Sequence, residues 1–325
     1  MKKISKALVT GGAGFIGSHI VDELLRRDIE TTVIDNLSTG SLDNLSHHSK
    51  NKSLHIIIGD VRKADELLHN IDKIDVVFHE AAIASVLRSV NEPMVVHDVN
   101  VNMTLELMNF CLRKNIKKFV FASSAAVYGV LETKANEDLV CKPYSPYGAS
   151  KLCVENYLNA YCQTYGLENV NLRYFNVYGP RQKLNDYSGV ITVFINNLLR
   201  GQTPTIYGDG LQVRDFVSVK DIVNANMLSV DSQAAIGQTF NVASGSSTSI
   251  KNLLDVLQNI TKTNDLGYQL GPRRAGDVKF GFASIDKIQK VLGFEAQTSL
   301  EKGLQRVVEF LRTQMEHSML MHNKI

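Results

Sequence analysis

Ala7-Leu8-Val9-Thr10-Gly11-Gly12-Ala13-Gly14-Phe15-Ile16-Gly17 is an apolar run that breaks into glycines and opens straight into a helix. The helical pattern continues to residue 27, with Ile16, Ile20, Val21, Leu24 and Leu25 on one side. Gly12, Gly14 and Gly17 fit Gly-x-Gly-x-x-Gly; Gly11, Gly14 and Gly17 fit Gly-x-x-Gly-x-x-Gly. Under either spacing one glycine makes a tight turn, one lets a pyrophosphate reach the backbone, and one permits close helix–strand packing. The helix N-terminus then faces the anion. The next strand, Thr31-Thr32-Val33-Ile34, ends in Asp35 and is followed by Asn36 rather than an arginine. A carboxylate there bonds the ribose hydroxyls of NAD and repels the extra phosphate of NADP, so NAD is the expected dinucleotide. The plainer reading of Asp35 is a turn residue closing a strand.

Working outward, the alternation continues. Strands are expected at 54–58, 75–79, 118–122 and 170–175, with helices near 65–69, 95–114 and 146–165 between them. Such alternation builds right-handed βαβ units, and strands apolar on both faces belong inside a parallel sheet. The expected fold class is therefore α/β, a Rossmann-like doubly wound parallel sheet with a smaller mixed α/β C-terminal substrate domain. Past residue 175 the rhythm breaks into longer polar, glycine-containing loops, with helices at 190–200, 221–229, 250–260, 285–292 and 300–312. Residues 216–241 look like a strand–helix–strand that returns to the first sheet. The expected division is 1–175 plus about 216–243 for the dinucleotide, 176–215 plus about 244–314 for the substrate, and a frayed tail at 315–325.

The bulk numbers exclude several classes. A net charge of +2 in 325 residues offers no electrostatic case for nucleic acid or an acidic membrane. No apolar run approaches the ~20 residues that span a bilayer, and no signal-peptide core precedes the first strand, so a cytoplasmic protein is expected. Cys111, Cys141, Cys153 and Cys162 have no Cys-x-x-Cys spacing and read as reduced thiols. No metal site is expected: the histidines lack ligand spacing, and His47-His48 lies in a polar loop.

Chemistry enters at Tyr147-Gly148-Ala149-Ser150-Lys151. Free tyrosine ionises near pH ~10 and is a poor base at neutrality. A lysine four residues on lies on the same helix face, and its ammonium favours the phenolate. Ser123-Ser124 follows an apolar strand, at the sheet edge where ligands bind in α/β folds; Ser124 either meets a substrate oxygen or caps a turn. A dinucleotide beside these groups would turn proton transfer into hydride transfer. Asp60-Val61, after the third strand, sits at the adenine or makes a simple turn.

Taken with His79-Glu80-Ala81-Ala82, Asn100, Ser123 to Gly129, Arg173-Tyr174-Phe175-Asn176, Gly208-Asp209-Gly210, Arg214-Asp215-Phe216 and Arg274-Ala275-Gly276-Asp277, nearly the whole chain resembles the extended short-chain dehydrogenase/reductase family, specifically its nucleotide-sugar 4-epimerases. The resemblance implies a tightly bound NAD, a UDP-sugar substrate and a homodimer formed through the helices at 95–114 and 146–165, where Leu105, Met108 and Leu112 supply apolar side chains. It implies Tyr147, Lys151 and Ser124 as the catalytic set. It implies cofactor contacts at Gly11, Gly14, Phe15, Ile16, Gly17, Asp35, Asn36, Asp60, Val61, Ala81, Ala82, Asn100, Ser123, Tyr147, Lys151 and Tyr174. Substrate contacts follow at Ser124, Asn176, Val190, Tyr207, Arg214, Arg274, Asp277 and Gly281.

Within that family, dehydratases carry an Asp-Glu pair just after the serine and decarboxylases a Glu at the second of these positions; Ala125-Ala126 stand here. UDP-glucuronate 4-epimerase, another oxidoreductase or dehydratase of the same fold, and a non-catalytic NAD-binding regulatory module are the competing readings. Gly281 stands where the family walls the pocket beside the sugar's C2 substituent. It either leaves room for an N-acetyl group or is a loop glycine with positive φ. The chain departs from the family pattern at Glu80, where an apolar residue is common, and at Thr192, where many relatives have proline.

Overall fold

A computed structural model describes residues 4–71, 73–183, 189–273 and 279–322. Strands β1 (Lys6–Thr10), β2 (Glu30–Asp35), β3 (Leu54–Ile58), β4 (Val76–His79), β5 (Lys118–Ser124) and β6 (Glu168–Tyr174) are joined by helices α1 (Phe15–Arg26), α2 (Ala64–Leu67), α3 (Val86–Asn91), α4 (Pro93–His97), α5 (Met103–Arg113) and α6 (Pro146–Tyr165). Short strands β7 (Asn176–Tyr178), β8 (Thr205–Tyr207), β9 (Val213–Arg214) and β10 (Phe216–Ser218) follow, with α7 (Val190–Leu199) among them. After α8 (Val219–Asp231), β11 (Gln238–Val242) returns to pair with β6. The seven-stranded sheet runs β11-β6-β5-β4-β1-β2-β3, parallel throughout. This is the expected doubly wound, Rossmann-like sheet, and the strand order reverses between β1 and β4, where such sheets bind ligands.

The remaining elements are β12 (Thr248–Ser249), α9 (Ile250–Thr261), β13 (Gln269–Gly271), β14 (Phe280–Gly281), α10 (Asp286–Leu292) and α11 (Leu300–His322). Apart from α10, whose Ile288 and Leu292 pack into the core of the large sheet, they make the smaller mixed α/β part. β9 pairs antiparallel with β12 and parallel with β14, and β13 lies beside β8. Buried apolar residues fall into three clusters. One holds Val9, Ile20, Leu24 and Ile222 on the α1–α8 face of the large sheet, and one holds Leu8, Leu107, Val154 and Leu158 on the α5–α6 face. The third, with Phe194, Leu254, Leu257 and Leu304, lies among α7, α9 and α11.

Three expectations need correction. Residues 95–114 are not one regular helix: residues 98–102 form a wide turn between α4 and α5. Asn100, within it, bonds the backbone of Ile83 through both ends of its amide. The expected tail is not frayed from 315. Past Gly303 nothing in the sequence breaks a helix, and α11 runs on to His322. Nor do Leu105, Met108 and Leu112 form an outward face: Met108 is fully buried, and the other two pack against the α5–α6 core. Apolar side chains are exposed instead on α3, α4 and α6, at Leu87, Val90, Met94, Tyr157 and Tyr165. Among the described residues no helix is long and apolar enough to cross a membrane. All four cysteines are free.

Candidate functional site

Several elements end at the carboxyl edge of the sheet. The turn after β1 is drawn tight by Gly11, at φ +69°, whose amide bonds Ile34 O at 2.8 Å. A Cβ on Gly11 would sit 2.8 Å from the Ala81 nitrogen, and one on Gly17 would sit 2.3 Å from Gly11 O. Neither position accepts any side chain. Gly14 is the N-cap of α1 and offers no side-chain hydrogen bond, so the amides of the helix's first turn are left for another acceptor. Phe15 and Ile16 begin that turn.

Asp35 closes β2 and is buried. Its oxygens accept from Ala13 N at 3.0 Å and Leu37 N at 2.8 Å, which uses two of a carboxylate's roughly four acceptor positions. Exposed Asn36 caps its own turn at Ser38 N. Asp60 does make the turn the plainer reading allowed: it caps residues 61–63, and the Arg62 guanidinium holds its carboxyl below the usual range. Val61 behind it is buried. Across the cleft, Ala81 and Ala82 follow β4, and Asn100 ties that loop to Ser150 of α6 at 3.1 Å.

The Tyr–Lys motif lies where α6 begins. Ser145 caps the helix and Pro146 opens it. A Cβ on Gly148 would lie 2.4 Å from Ala126 O, so only glycine lets α6 press against the turn that follows β5. That approach brings Tyr147 into hydrogen-bond reach of Ser124, whose Oγ also accepts from Ala126 N at 3.2 Å. Ser124 thus caps the turn after β5 and meets Tyr147 with the same hydroxyl. Lys151, one turn on and buried, donates to Ala122 O at 2.7 Å and lies 4.7 Å over the Phe121 ring.

The expectation that Lys151 lowers the Tyr147 pKa is not met in the protein alone. Burial raises Tyr147, the Ser124 hydrogen bond lowers it less, and the charge of Glu80 raises it further. Lys151 itself is pushed down to about 8 by burial, against support from Glu80 and Glu155.

Two neighbours of these groups were given no place in the site by the sequence. Glu155, buried on α6, accepts from Ser123 Oγ and pairs with Arg173 at 2.7 Å. Arg173 lies over the Tyr128 ring, and Tyr128 bonds Asn241. The signal was available: an arginine inside a buried strand demands a carboxylate partner. The other is Glu80, noted in the sequence only as a departure from the family pattern, whose carboxylate accepts from the Tyr174 hydroxyl at 2.9 Å.

Two residues beyond Tyr174, Asn176 enters a separate pocket of about 280 Å³ that also holds Val190, Tyr207 and Arg214. Four expected substrate residues thus share one cavity, with Gln212 and Phe194, which the sequence reading did not single out. Asp215, alternating inward from Arg214, is fully buried and accepts from Ser244 and Gly245, which fixes the loop behind the pocket. Gly281 is not a positive-φ loop residue. It belongs to β14 opposite Arg214, and a Cβ there would lie 3.1 Å from Arg214 Cδ. Thr192, in place of proline, bonds Gln182. Arg274 and Asp277 lie outside the described residues. Asp22, His47 and His48 cluster on the far side of α1, where both imidazoles meet one Asp22 oxygen and Arg181 holds the other.

The family model for the NAD dependent epimerase/dehydratase family matches residues 7–243. The chain belongs to that family. A putative UDP-glucose 4-epimerase from Methanocaldococcus jannaschii is 37% identical, over 94% of this chain and 98% of its own. A UDP-N-acetylglucosamine 4-epimerase from Methanobrevibacter ruminantium, solved with UDP-N-acetylmuramic acid, is 41% identical with a TM-score of 0.90, covering 96% of this chain and 99% of its own. A UDP-glucose 4-epimerase from Thermotoga maritima, solved with UDP-glucose, is 37% identical with a TM-score of 0.89, covering 95% and 99%.

The residues present fit the dinucleotide that the epimerase/dehydratase family takes. The turn is one that a Cβ at Gly11 or Gly17 would fill, and the adjoining helix end has no cap of its own. Gly17→Ala tests this. The Cβ must displace Gly11 O, so NAD affinity, followed by fluorescence titration, is expected to fall roughly tenfold or more. Unchanged affinity would mean that the turn does not carry the pyrophosphate.

Proposed function

We propose that this family member is an NAD-dependent UDP-sugar 4-epimerase, an isomerase that inverts C4 by transient oxidation. The observation that carries the reading is the meeting of Tyr147, Ser124 and Lys151 beside the glycine turn, with Ala125 and Ala126 next to them. Elimination or decarboxylation needs a further acid or base at those two positions; inversion of C4 needs none.

Bound NAD would supply the hydride acceptor for C4 and the hydride donor for the return. In this reading Gly11, Gly14, Phe15, Ile16 and Gly17 hold its pyrophosphate, Asp35 and Asn36 its ribose, and Asp60 and Val61 its adenine. Ala81, Ala82, Asn100, Ser123 and Tyr174 line the rest. Tyr147 takes the proton of the 4-hydroxyl and gives it back, Ser124 bonds that oxygen, and Lys151 supplies the positive charge that favours the phenolate. The bound cofactor's own positive charge works in the same direction, against the burial that raises Tyr147 in the protein alone. Arg214 and Arg274 grip the UDP pyrophosphate, since guanidinium forks suit phosphate oxygens. Asn176, Val190, Tyr207 and Asp277 hold the rest of the nucleotide while the sugar turns. The large sheet with 216–243 is the dinucleotide unit, and 176–215 with 244–314 the substrate unit.

Gly281 puts no side chain beside Arg214, and with Arg214 displaced it would admit a C2 substituent, which extends the substrates from UDP-Glc/UDP-Gal to UDP-GlcNAc/UDP-GalNAc. The protein acts in the cytoplasm, in keeping with its free thiols. It works as a homodimer whose contact is the exposed apolar face of α3, α4 and α6; sedimentation of Val90→Asp as a monomer and of the wild type as a dimer is the expected result.

Proton NMR of the protein with UDP-Glc, UDP-GlcNAc and UDP-GlcA, without added reductant, is expected to show 4-epimers of the first two. No epimer from any of them overturns the reading, and an epimer from UDP-GlcA alone makes it a glucuronate enzyme. Tyr147→Phe is expected to lose about 10²- to 10⁴-fold in kcat while still binding NAD. Gly281→Tyr is expected to abolish turnover of UDP-GlcNAc and keep that of UDP-Glc, with a raised KM because Arg214 must yield. Equal loss of both would sink the steric argument.

A further inference from the structure

Glu80 is a carboxyl in the cleft that the steps above do not use. It is the first residue past β4, and its amide bonds Thr10 O at 3.1 Å, so its backbone is part of the wall against the glycine turn. Its side chain reaches over the end of β5 to Tyr174, at the end of β6, accepting that hydroxyl at 2.9 Å. Tyr174 in turn accepts from Asn226 of α8 at 2.8 Å. The carboxylate therefore bridges three elements above the strand that carries Ser123 and Ser124.

The groups that act on it or are acted on come from every side. Lys151 and Tyr147 project from α6, and Tyr174 from β6. His79 precedes it on β4, but that ring is buried between Thr10 and Thr104 and, pushed down to about 3 by burial and then by Lys151, is neutral. Glu155 is a second carboxylate acting on Lys151, and it is already committed to Ser123 and Arg173. Burial pushes Glu80 up to about 7, against the Tyr174 hydrogen bond and the charge of Lys151. Its negative charge in turn raises both Lys151 and Tyr147.

We propose that Glu80 is a positioning residue for the epimerase reaction: its carboxylate fixes the Tyr174 hydroxyl across the sheet edge, against Asn226 of α8, and places an anion beside the Tyr147–Lys151 pair. This rests on the epimerase reading above. An apolar side chain here would leave the buried Tyr174 hydroxyl without its acceptor and Lys151 with Glu155 alone. Because Glu80 titrates near neutrality, its charge is withdrawn as the medium acidifies. Tyr147 then ionises more readily, which opposes the loss of phenolate at low pH.

Glu80→Gln separates charge from shape, since the amide oxygen still accepts from Tyr174. Holoenzyme is titrated by tyrosinate absorbance, with Tyr147→Phe subtracted in each background to isolate Tyr147, and kcat is followed against pH. In Glu80→Gln the Tyr147 titration and the acid limb of kcat, which the phenolate sets, are both expected to move to lower pH. Tyr174→Phe removes the hydroxyl that stabilises the carboxylate, keeps Glu80 neutral to higher pH, and is expected to shift Tyr147 in the same direction. Curves for Glu80→Gln that superimpose on the wild type overturn the proposal, because a merely structural carboxyl would give that result. A wild type that epimerises no nucleotide sugar would defeat the functional reading instead, and the absorbance titration would still report on Glu80.

Discussion

The site depends on how closely the start of α6 approaches the turn after β5. Gly148 lets the helix rest on Ala126 O, and any side chain there would hold the two apart. From that contact the rest follows geometrically. Tyr147 comes beside Ser124, Lys151 passes under the end of β5 to Ala122 O, and Glu155, one further turn along, meets Ser123 and Arg173. A single helix thereby delivers a phenol, a cation and a buried anion to consecutive residues of one strand. The regular rise of the helix does the spacing.

The electrostatics of the cleft differ from what the Tyr–Lys motif suggests by itself. Lysine is not the dominant influence on the tyrosine; burial is. The ammonium is itself weakened by burial and supported by two carboxylates, Glu80 after β4 and Glu155 on α6. Arg173 and Glu155 offset each other at close range, since two desolvated charges are tolerable only as a well-bonded pair. The cleft is thus a chain of mutually dependent charges, and the Tyr147 phenol is at its end.

Much of this was legible from residue order. The glycine turn, Asp35 at a strand end and the helix–strand rhythm specify the doubly wound sheet, because each reports a local backbone requirement. Residues 216–241 declare their return to the sheet by the same rhythm. The spacing of Asn176, Val190, Tyr207 and Arg214 says nothing of their meeting in one pocket; only resemblance brought them together, since the contact depends on how α7, β8 and β9 fold over β7. The wide turn at 98–102 and the full length of α11 were hidden for opposite reasons. The first answers a tertiary demand, the Asn100–Ile83 bonds, that leaves no trace in periodicity. The second is a helix with no stop signal, read short because its polar end resembled a tail. Glu155 was missed because a charge on an otherwise apolar helix face looks like a pattern error until Arg173 is placed opposite it.

The path of the chain between its apolar cores carries a last consequence. It leaves the large sheet after β6, comes back at α8 and β11, leaves for β12 and α9, returns with α10, whose Ile288 and Leu292 join the α1–α8 core, and leaves again for α11. Neither half is a contiguous cassette that recombination could cut out and replace. A protein threaded in this way changes by exchanging single residues at the seam between its cores, while the stitching stays intact.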